Sequence, residues 1–142
     1  MRQRTRPTTH ADRGLEWLSA IVMIGWALVL MQPGDTIAAG NMHELLRHGL
    51  SESDIMLVFG LAGAARVAAL FINGRYPRTP IVRMIGATAG FLLWTNISLF
   101  LLAGTFMADG VVTTGLAVYV PLALADLLSI YRAAFDARYQ RR

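Results

Sequence analysis

Two charged residues lie inside strongly apolar segments of the sequence. Arg66 comes six residues before the end of one segment at Ile72, and Asp126 comes five residues before the end of another at Tyr131. In a helix that rises about 1.5 Å per residue, the two charges are about 9 Å and about 7.5 Å from those ends. Charged residues inside a membrane are rare and usually paired. If the two helices run in the same direction, the sequence predicts an Arg66–Asp126 ion pair.

Three roles for these charges follow from membrane chemistry. The pair can belong to a proton or ion path, or to a ligand site. It can instead be structural and fix the packing of two helices. In the third alternative, the long side chain of Arg66 extends to the membrane surface, where water solvates the guanidinium group. The sequence leaves all three open.

Glu16 is a further acidic residue, at the edge of the first apolar segment and beside Arg13. Small multidrug transporters with four spans also carry a glutamate in their first helix, but that glutamate lies deep in the membrane. A small oligomeric transporter that uses an intramembrane pair of Arg66 and Asp126 is therefore one functional alternative, which Glu16 supports only weakly.

Residues 42–48, with the sequence MHELLRH, begin like a zinc-binding motif. Zinc proteases with such a motif place two histidines four residues apart, so that both imidazoles share one face of a helix. His43 and His48 are five residues apart and diverge by about 140° on a helix. We therefore expect two surface histidines and no metal site.

The sequence also predicts no catalytic site and no cofactor. It contains no cysteine, which excludes disulfides and thiolate metal sites. No nucleophile and base occur in a recognisable pattern, and no glycine-rich phosphate loop follows a predicted strand. We expect a protein that is not an enzyme.

Small residues recur at helical spacing in two of the apolar segments. Gly60 and Ala64 are four residues apart, and Gly86 and Gly90 form a G-x-x-x-G pattern with Asn96 on an adjacent stripe. Small residues let helix backbones approach, and asparagine can hydrogen-bond between membrane helices. These five residues predict helix packing, either within the bundle or between copies.

The elements that position these residues are membrane-spanning helices. Of 142 residues, 55% are hydrophobic and 15% are charged, whereas a soluble domain has about 25% charged residues. So short a chain cannot bury this much apolar surface in a water-soluble core, and strands would leave backbone groups unpaired in lipid. We predict an all-α polytopic membrane protein, a single domain with four transmembrane helices in a bundle at 15–31, 55–73, 83–106 and 111–131.

Arginine blocks on alternate connections predict the orientation of this bundle. All 13 basic residues are arginine, and basic residues are enriched on the cytoplasmic side of membrane proteins. We predict an N-in, C-in topology, with cytoplasmic tails at 1–14 and 132–142 and an outer loop at 32–54. Because the net charge of +4 lies in these blocks, nucleic acid is not an expected partner. The blocks are Arg2, Arg4, Arg6 and Arg13, then Arg75, Arg78 and Arg83, then Arg132, Arg138, Arg141 and Arg142.

One rival topology involves the first segment. Arginines, a short apolar core and then Ala38-Ala39-Gly40 are also typical of a cleavable signal peptide. Pro33-Gly34 equally suits a turn that follows a membrane span. The sequence leaves open whether the first segment is retained.

The outer loop contains two local helix signals. Residues 42–48 predict a short helix that Gly49 ends, and Met42, Leu45 and Leu46 share one face. We expect this face to lie against lipid at the outer surface. Residues 51–54, SESD, are typical of a capping box that starts the second span.

Residues 66–74, RVAALFING, followed by Arg78-Thr79-Pro80 and Arg83, resemble a pattern in small four-span membrane proteins encoded by tailed phages and prophages. The similarity extends over most of the four-span region. It implies a phage or prophage origin and a location in the bacterial inner (cytoplasmic) membrane. It implies no catalytic residues, because that group has no assigned activity.

Small size, several spans and a basic cytoplasmic tail lead to three hypotheses. The first is a phage-type inner-membrane protein that acts through helix–helix assembly, with holin-like permeabilisation as its most concrete version. The second is an accessory subunit that binds another membrane protein, and the third is the oligomeric transporter. The expected partners are the lipid bilayer and either a second copy or another membrane protein.

Overall fold

The computed structural model describes residues 13–34, 36–37, 42–72, 79–107 and 112–139. These ranges contain five helices: α1 at Gly14–Leu30, α2 at His43–Arg47, α3 at Glu52–Ile72, α4 at Thr79–Met107 and α5 at Leu116–Tyr139. No strand occurs within them. The predicted all-α class is confirmed for this part of the chain.

Three helices are long and apolar enough to cross a membrane, namely α3, α4 from Pro80 and α5 as far as Arg138. α1 is a shorter apolar helix of 17 residues, and at about 1.5 Å per residue it is about 26 Å long. This length is at the lower limit for a membrane span. The protein is therefore helical with three membrane-compatible helices, and the four-span topology stays a prediction.

The four long helices form a ring in which neighbours run in opposite directions. α1 packs chiefly against α3 and α4 against α5, while contacts of α3 with α4 and of α1 with α5 close the ring. Trp17, early in α1, meets Phe71, late in α3, with ring centroids 5.0 Å apart. Arg83, early in α4, contacts Glu16 of α1 and Asp136, late in α5. α3 and α5 therefore run in the same direction, as the predicted ion pair requires.

Apolar side chains fill the bundle and also cover its outside. Trp94, Phe59 and Met23 are large side chains that are fully enclosed. On the outside, Phe71 is 75% exposed and Phe106 is 80% exposed. An apolar outer surface of this extent is unfavourable in water and suits lipid.

The start of α3 is held by a capping box, which confirms the prediction for residues 51–54. The Asp54 N–H donates to Oγ of Ser51 at 3.1 Å, and the Ser51 N–H donates to Oδ2 of Asp54 at 3.0 Å. Both amides lie at the start of the helix, where backbone N–H groups have no carbonyl partner within the helix. α3 therefore begins at Glu52, three residues before the predicted span.

α2 lies against the bundle, and its predicted orientation toward lipid is wrong for Leu45. The helix itself is present, and Gly49 follows it with a φ of 79°. Leu45 is only 2% exposed and belongs to the same buried cluster as Leu30 and Leu101. Because α2 packs on α4, the face that carries Leu45 is covered by protein.

α5 begins later and extends farther than the predicted span at 111–131. Its first turn starts at Leu116, whose N–H donates to the Thr113 carbonyl at 3.3 Å. At the other end, Ala133 is completely buried and Asp136 accepts a hydrogen bond from Arg83. These tertiary contacts continue the helix through residues that hydropathy assigns to a tail.

Several predictions concern residues outside the described ranges. They are the tails at 1–12 and 140–142, the signal-peptide site at 38–40, and the link at 73–78 with Arg75 and Arg78. The side chains of His43 and Glu44 also lie outside the description.

Candidate functional site

Arg66 and Asp126 lie together inside the bundle, in a bidentate geometry. α3 supplies Arg66, whose Nη1 is 2.8 Å from Oδ2 of Asp126 and whose Nη2 is 2.6 Å from Oδ1. The arginine side chain is 5% exposed, and the aspartate of α5 is fully enclosed. Paired N–H···O bonds of this kind combine charge with fixed orientation. The Arg66 side chain is therefore directed to Asp126 and does not reach the bundle surface.

Ser19 of α1 and Trp94 of α4 complete this site, which we call the charged core (Ser19, Arg66, Trp94 and Asp126). The Ser19 hydroxyl donates to Oδ2 of Asp126 at 2.8 Å. It accepts from Nη1 of Arg66 at 2.9 Å and from the indole N–H of Trp94 at 3.0 Å. A hydroxyl has one donor and two acceptor positions, so Ser19 is saturated. All four long helices contribute one residue each.

Two glycines of α4 make room for the charged core. A Cβ on Gly90 would lie 2.2 Å from both Nη1 of Arg66 and Oδ2 of Asp126, and one on Gly86 would lie 3.2 Å from Cγ of Arg66. The G-x-x-x-G pattern thus accommodates side chains of α3 and α5. This use differs from the expected close approach of two helix backbones.

The other predicted packing residues divide into an inner and an outer group. Gly60 faces Ala27 of α1, where an added Cβ would be 3.4 Å from the alanine Cβ. Gly63, which the packing prediction omitted, is tighter, since its Cβ would lie 2.9 Å from Ile24. Ala64 and Asn96 are exposed on the outside of the bundle. The structure therefore gives these two no role in packing among the described helices.

A second ion cluster (Glu16, Arg83 and Asp136) lies closer to the end of the bundle. Nε of Arg83 is 3.0 Å from Oε2 of Glu16, and its Nη2 donates to Oε1 of the same carboxylate. Its Nη1 is 3.2 Å from Oδ2 of Asp136. Glu16 and Arg83 are 5% and 7% exposed. The cluster joins α1, α4 and α5 around one guanidinium group.

Neither this cluster nor the part played by Ser19 was predicted from the sequence. Glu16 was expected at the membrane edge beside Arg13, and Arg83 and Asp136 were expected among the charges of the connections. One signal was available, because Glu16, Ser19 and Met23 recur at helical spacing and mark an inward face of α1. Nothing in the sequence indicated which helices that face would meet.

An aromatic layer (Trp26, Phe59, Trp94 and Tyr119) adjoins the charged core through Trp94. The rings of Trp94 and Tyr119 stack with centroids 5.5 Å apart, and Trp26 meets both edge-on. The indole N–H of Trp26 donates to the Tyr119 hydroxyl at 3.0 Å. This layer fills the interior on the side of the charged core away from the second ion cluster.

A cavity of about 820 Å³ lies between α1 and the start of α5. It is lined mainly by apolar side chains, among them Ile21, Val29, Ile37 and Leu101. Trp26 and Tyr119 of the aromatic layer line it, whereas Arg66 and Asp126 do not. The aromatic layer therefore separates this cavity from the ion pair.

The chemistry available at the charged core is limited by its own hydrogen bonds. Asp126 accepts two bonds from Arg66 and one from Ser19, so three of the roughly four acceptor positions of its carboxylate are filled. Among the described residues, no group of three or more acidic, histidine or cysteine side chains is arranged for a metal. His48 packs edge-on against Phe100, with centroids 5.3 Å apart. The arrangement can hold four helices together.

Comparisons of the chain with known protein families, with curated proteins and with solved structures found no match in any of the three.

Proposed function

We propose that this is a phage-type protein of the bacterial inner membrane that acts by helix–helix assembly in the bilayer. The observation that carries the proposal is that charged groups lie inside the bundle and apolar groups lie on its outside. The buried charges are neutralised by one another inside the bundle, while large apolar side chains cover its outside. The surface that such a protein has free for binding faces lipid, and the partners available there are other membrane helices.

The filled charged core favours assembly over transport by a single copy. A transported proton or cation needs a carboxylate that can exchange partners, and three hydrogen bonds occupy Asp126. The fully enclosed rings of Trp94 and Phe59 obstruct the interior beside it. These contacts support the structural role among the three considered for the pair.

In this proposal α1 completes four spans, with both termini on the cytoplasmic side. The antiparallel ring supports it, because the starts of α1 and α4 and the ends of α3 and α5 meet at one end of the bundle. Connections at that end would carry the arginine blocks, which the positive-inside rule assigns to the cytoplasm.

Holin-like permeabilisation is the concrete version that an experiment can test first. In this version a lesion forms between copies, since the interior of one bundle is occupied. Timed expression in a bacterium with a co-expressed endolysin should collapse the membrane potential, as followed with a voltage-sensitive dye, and release the enzyme. The control is the endolysin expressed with Asp126→Ala, which should fold poorly and leave the potential intact.

An intact potential at high expression of the natural sequence would exclude permeabilisation. Assembly would then be tested by purification in mild detergent. Recovery of a defined membrane protein with the chain supports the accessory-subunit alternative. A chain that is strictly monomeric and has no partner contradicts the assembly proposal as a whole.

A further inference from the structure

One outward face of α4 carries a regular row of large apolar side chains. Ile85, Leu92, Leu99 and Phe106 are 63%, 53%, 58% and 80% exposed. They are seven residues apart, so they lie nearly in line along the helix. The opposite face of α4 carries Trp94 and faces the bundle interior. This outward row is not covered by any described helix.

Three smaller residues lie between the members of this row. Ala89, Asn96 and Ala103 fall four residues after one large residue and three before the next. The resulting seven positions alternate at spacings of four and three, which is the a/d pattern of a coiled coil. We call them the α4 seam (Ile85, Ala89, Leu92, Asn96, Leu99, Ala103 and Phe106). Its large residues occupy d positions, and its small or polar residues occupy a positions.

Asn96 is the polar residue of the α4 seam. Its Nδ2 donates to the Leu92 carbonyl of its own helix at 2.8 Å. Within the described part of the chain, Oδ1 of Asn96 has no hydrogen-bond partner. Asn96 lies eleven residues before Met107, the end of α4, which is about 16 Å along the helix. At that depth lipid offers no hydrogen-bonding group, so an unpaired amide oxygen is unfavourable.

We propose that the α4 seam binds the α4 seam of a second copy, with the two Asn96 amides hydrogen-bonded across a twofold axis. An amide has both donors and an acceptor, so asparagine is complementary to itself. Copies inserted by the same arginine blocks have the same orientation. Their α4 helices are then parallel, and a twofold axis along the membrane normal places Asn96 opposite Asn96.

The composition of the α4 seam is suited to binding the α4 seam of a second copy. Ala89 and Ala103, one heptad on either side of Asn96, let the two backbones approach, as small residues do between membrane helices. A single asparagine at an a position fixes the register of a parallel pair. The inference rests on the proposed role in assembly and specifies the surface and the partner.

The absence of cysteine from the chain allows a direct test by disulfide cross-linking in native membranes. Single variants Leu92→Cys and Leu99→Cys should form covalent dimers within minutes of adding a mild oxidant. Matched controls are Leu61→Cys and Leu124→Cys, which are exposed on α3 and on α5. Seam positions should cross-link at least fivefold faster than the two controls. Equal rates at all four positions, or no dimer at any, would overturn the proposal.

Asn96→Leu tests the hydrogen bond separately from the apolar contact. Dimerisation measured by energy transfer in detergent or lipid should weaken about three- to fifteenfold, the range of single hydrogen bonds between membrane helices. Asn96→Gln should retain much of the affinity. Because Asn96 is exposed, the folded monomer should keep its circular dichroism and its migration on gel filtration. An unchanged affinity with intact folding contradicts the pairing.

Different results would contradict the proposed function in assembly and the proposed pairing of α4 seams. If the α4 seam does not pair but a membrane protein co-purifies, or copies cross-link through α3, assembly stands and this inference falls. If no association of any kind is found, both fall.

Discussion

Arg66 makes three hydrogen bonds inside the bundle, and its position explains how a charge is retained among apolar helices. It uses Nη1 and Nη2 on Asp126 and shares Nη1 with Ser19. Removing one member of a buried ion pair costs far more than replacing both, because the remaining charge stays in a low-dielectric site. The stability of the bundle should therefore depend on the two residues jointly.

We predict that Asp126→Ala lowers the free energy of unfolding by about 3–5 kcal/mol, because it leaves Arg66 buried and unpaired. Unfolding in mixed micelles, followed by circular dichroism, measures the change. The control is Asp136→Ala, whose side chain is 26% exposed and whose loss should cost about 1 kcal/mol or less. The double variant Arg66→Met with Asp126→Leu should be more stable than Asp126→Ala. A double variant that is equally unstable would show that the pair is not the cause.

Ser19→Ala is predicted to destabilise the protein by about 1–3 kcal/mol, the cost of leaving buried polar groups unsatisfied. The change removes the acceptor for the Trp94 indole N–H and one donor to Asp126. Ser98→Ala is a matched control, since Ser98 is also buried but donates only to the Trp94 carbonyl of its own helix. Equal effects of the two changes would argue against a special role for Ser19. The tryptophan emission maximum provides a second measurement, because the indole N–H of Trp94 loses its acceptor only in Ser19→Ala.

At the scale of helices, the close packing of the bundle depends on positions where only glycine fits. α4 approaches the Arg66–Asp126 pair so closely that Gly90 has no space for a methyl group. α1 and α3 also approach closely at Gly63, where an added Cβ would be 3.1 Å from the backbone nitrogen of Ile24. Glycine therefore determines the helix separation at both interfaces.

Gly90→Ala and Gly25→Ala should change stability in opposite directions. The added methyl at Gly90 collides with the ion pair, and overpacking of this kind costs about 1–3 kcal/mol. Gly25 lies inside α1, and among the described residues no atom outside its own stretch of helix is within 4 Å of an added Cβ. There, alanine should stabilise by about 0.5–1 kcal/mol through helix propensity. The same unfolding assay in micelles measures both changes, and a stabilising Gly90→Ala would contradict the described separation of α4 from α3 and α5.

The helices themselves were largely predictable, and their ends were less so. Hydropathy located each long helix to within a few residues at most ends. It failed at the end of α5, where Asp136 and Ala133 are held by contacts with other helices. It also failed for α2, because an amphipathic pattern predicts an apolar face but does not distinguish lipid from a protein interior as the environment of Leu45.

At the scale of the whole molecule, polar and aromatic side chains occupy successive parts of the bundle interior. The second ion cluster joins three helices near one end of the bundle, and the charged core joins all four. The aromatic layer follows toward the other end. Lipid on the outside would then meet a surface of mainly apolar side chains, which fits the proposed role in assembly.

The proposed topology predicts where reporter enzymes are active. Bacterial alkaline phosphatase needs disulfides and matures only in an oxidising compartment. Fused after Gly34 it should be active, and fused after Arg142 it should be inactive. The reciprocal result is expected of a cytoplasmic fluorescent reporter. An active phosphatase at Arg142 would contradict a cytoplasmic C-terminus, and an inactive one at Gly34 would contradict a first span that runs outward.

The sequence by itself determined the all-helical class, the apolar segments and the two most informative charges. Each of these depends on composition and spacing along the chain, which a sequence displays directly. The similar depths of Arg66 and Asp126 follow from segment lengths and direction alone. For the same reason the capping box at Ser51 and Asp54 was predictable, since both partners lie within one turn.

Only the tertiary structure decided which residues complete these features. Ser19 and Trp94 join the ion pair, and Arg83 meets both Glu16 and Asp136, because the helices bring together positions as far apart as Ser19 and Asp126, which are separated by 107 residues. It also decided that Gly86 and Gly90 face inward and Asn96 faces outward. In a uniformly apolar helix, the sequence does not indicate which face points into the bundle. The inner and outer faces therefore become distinct only when the helices pack.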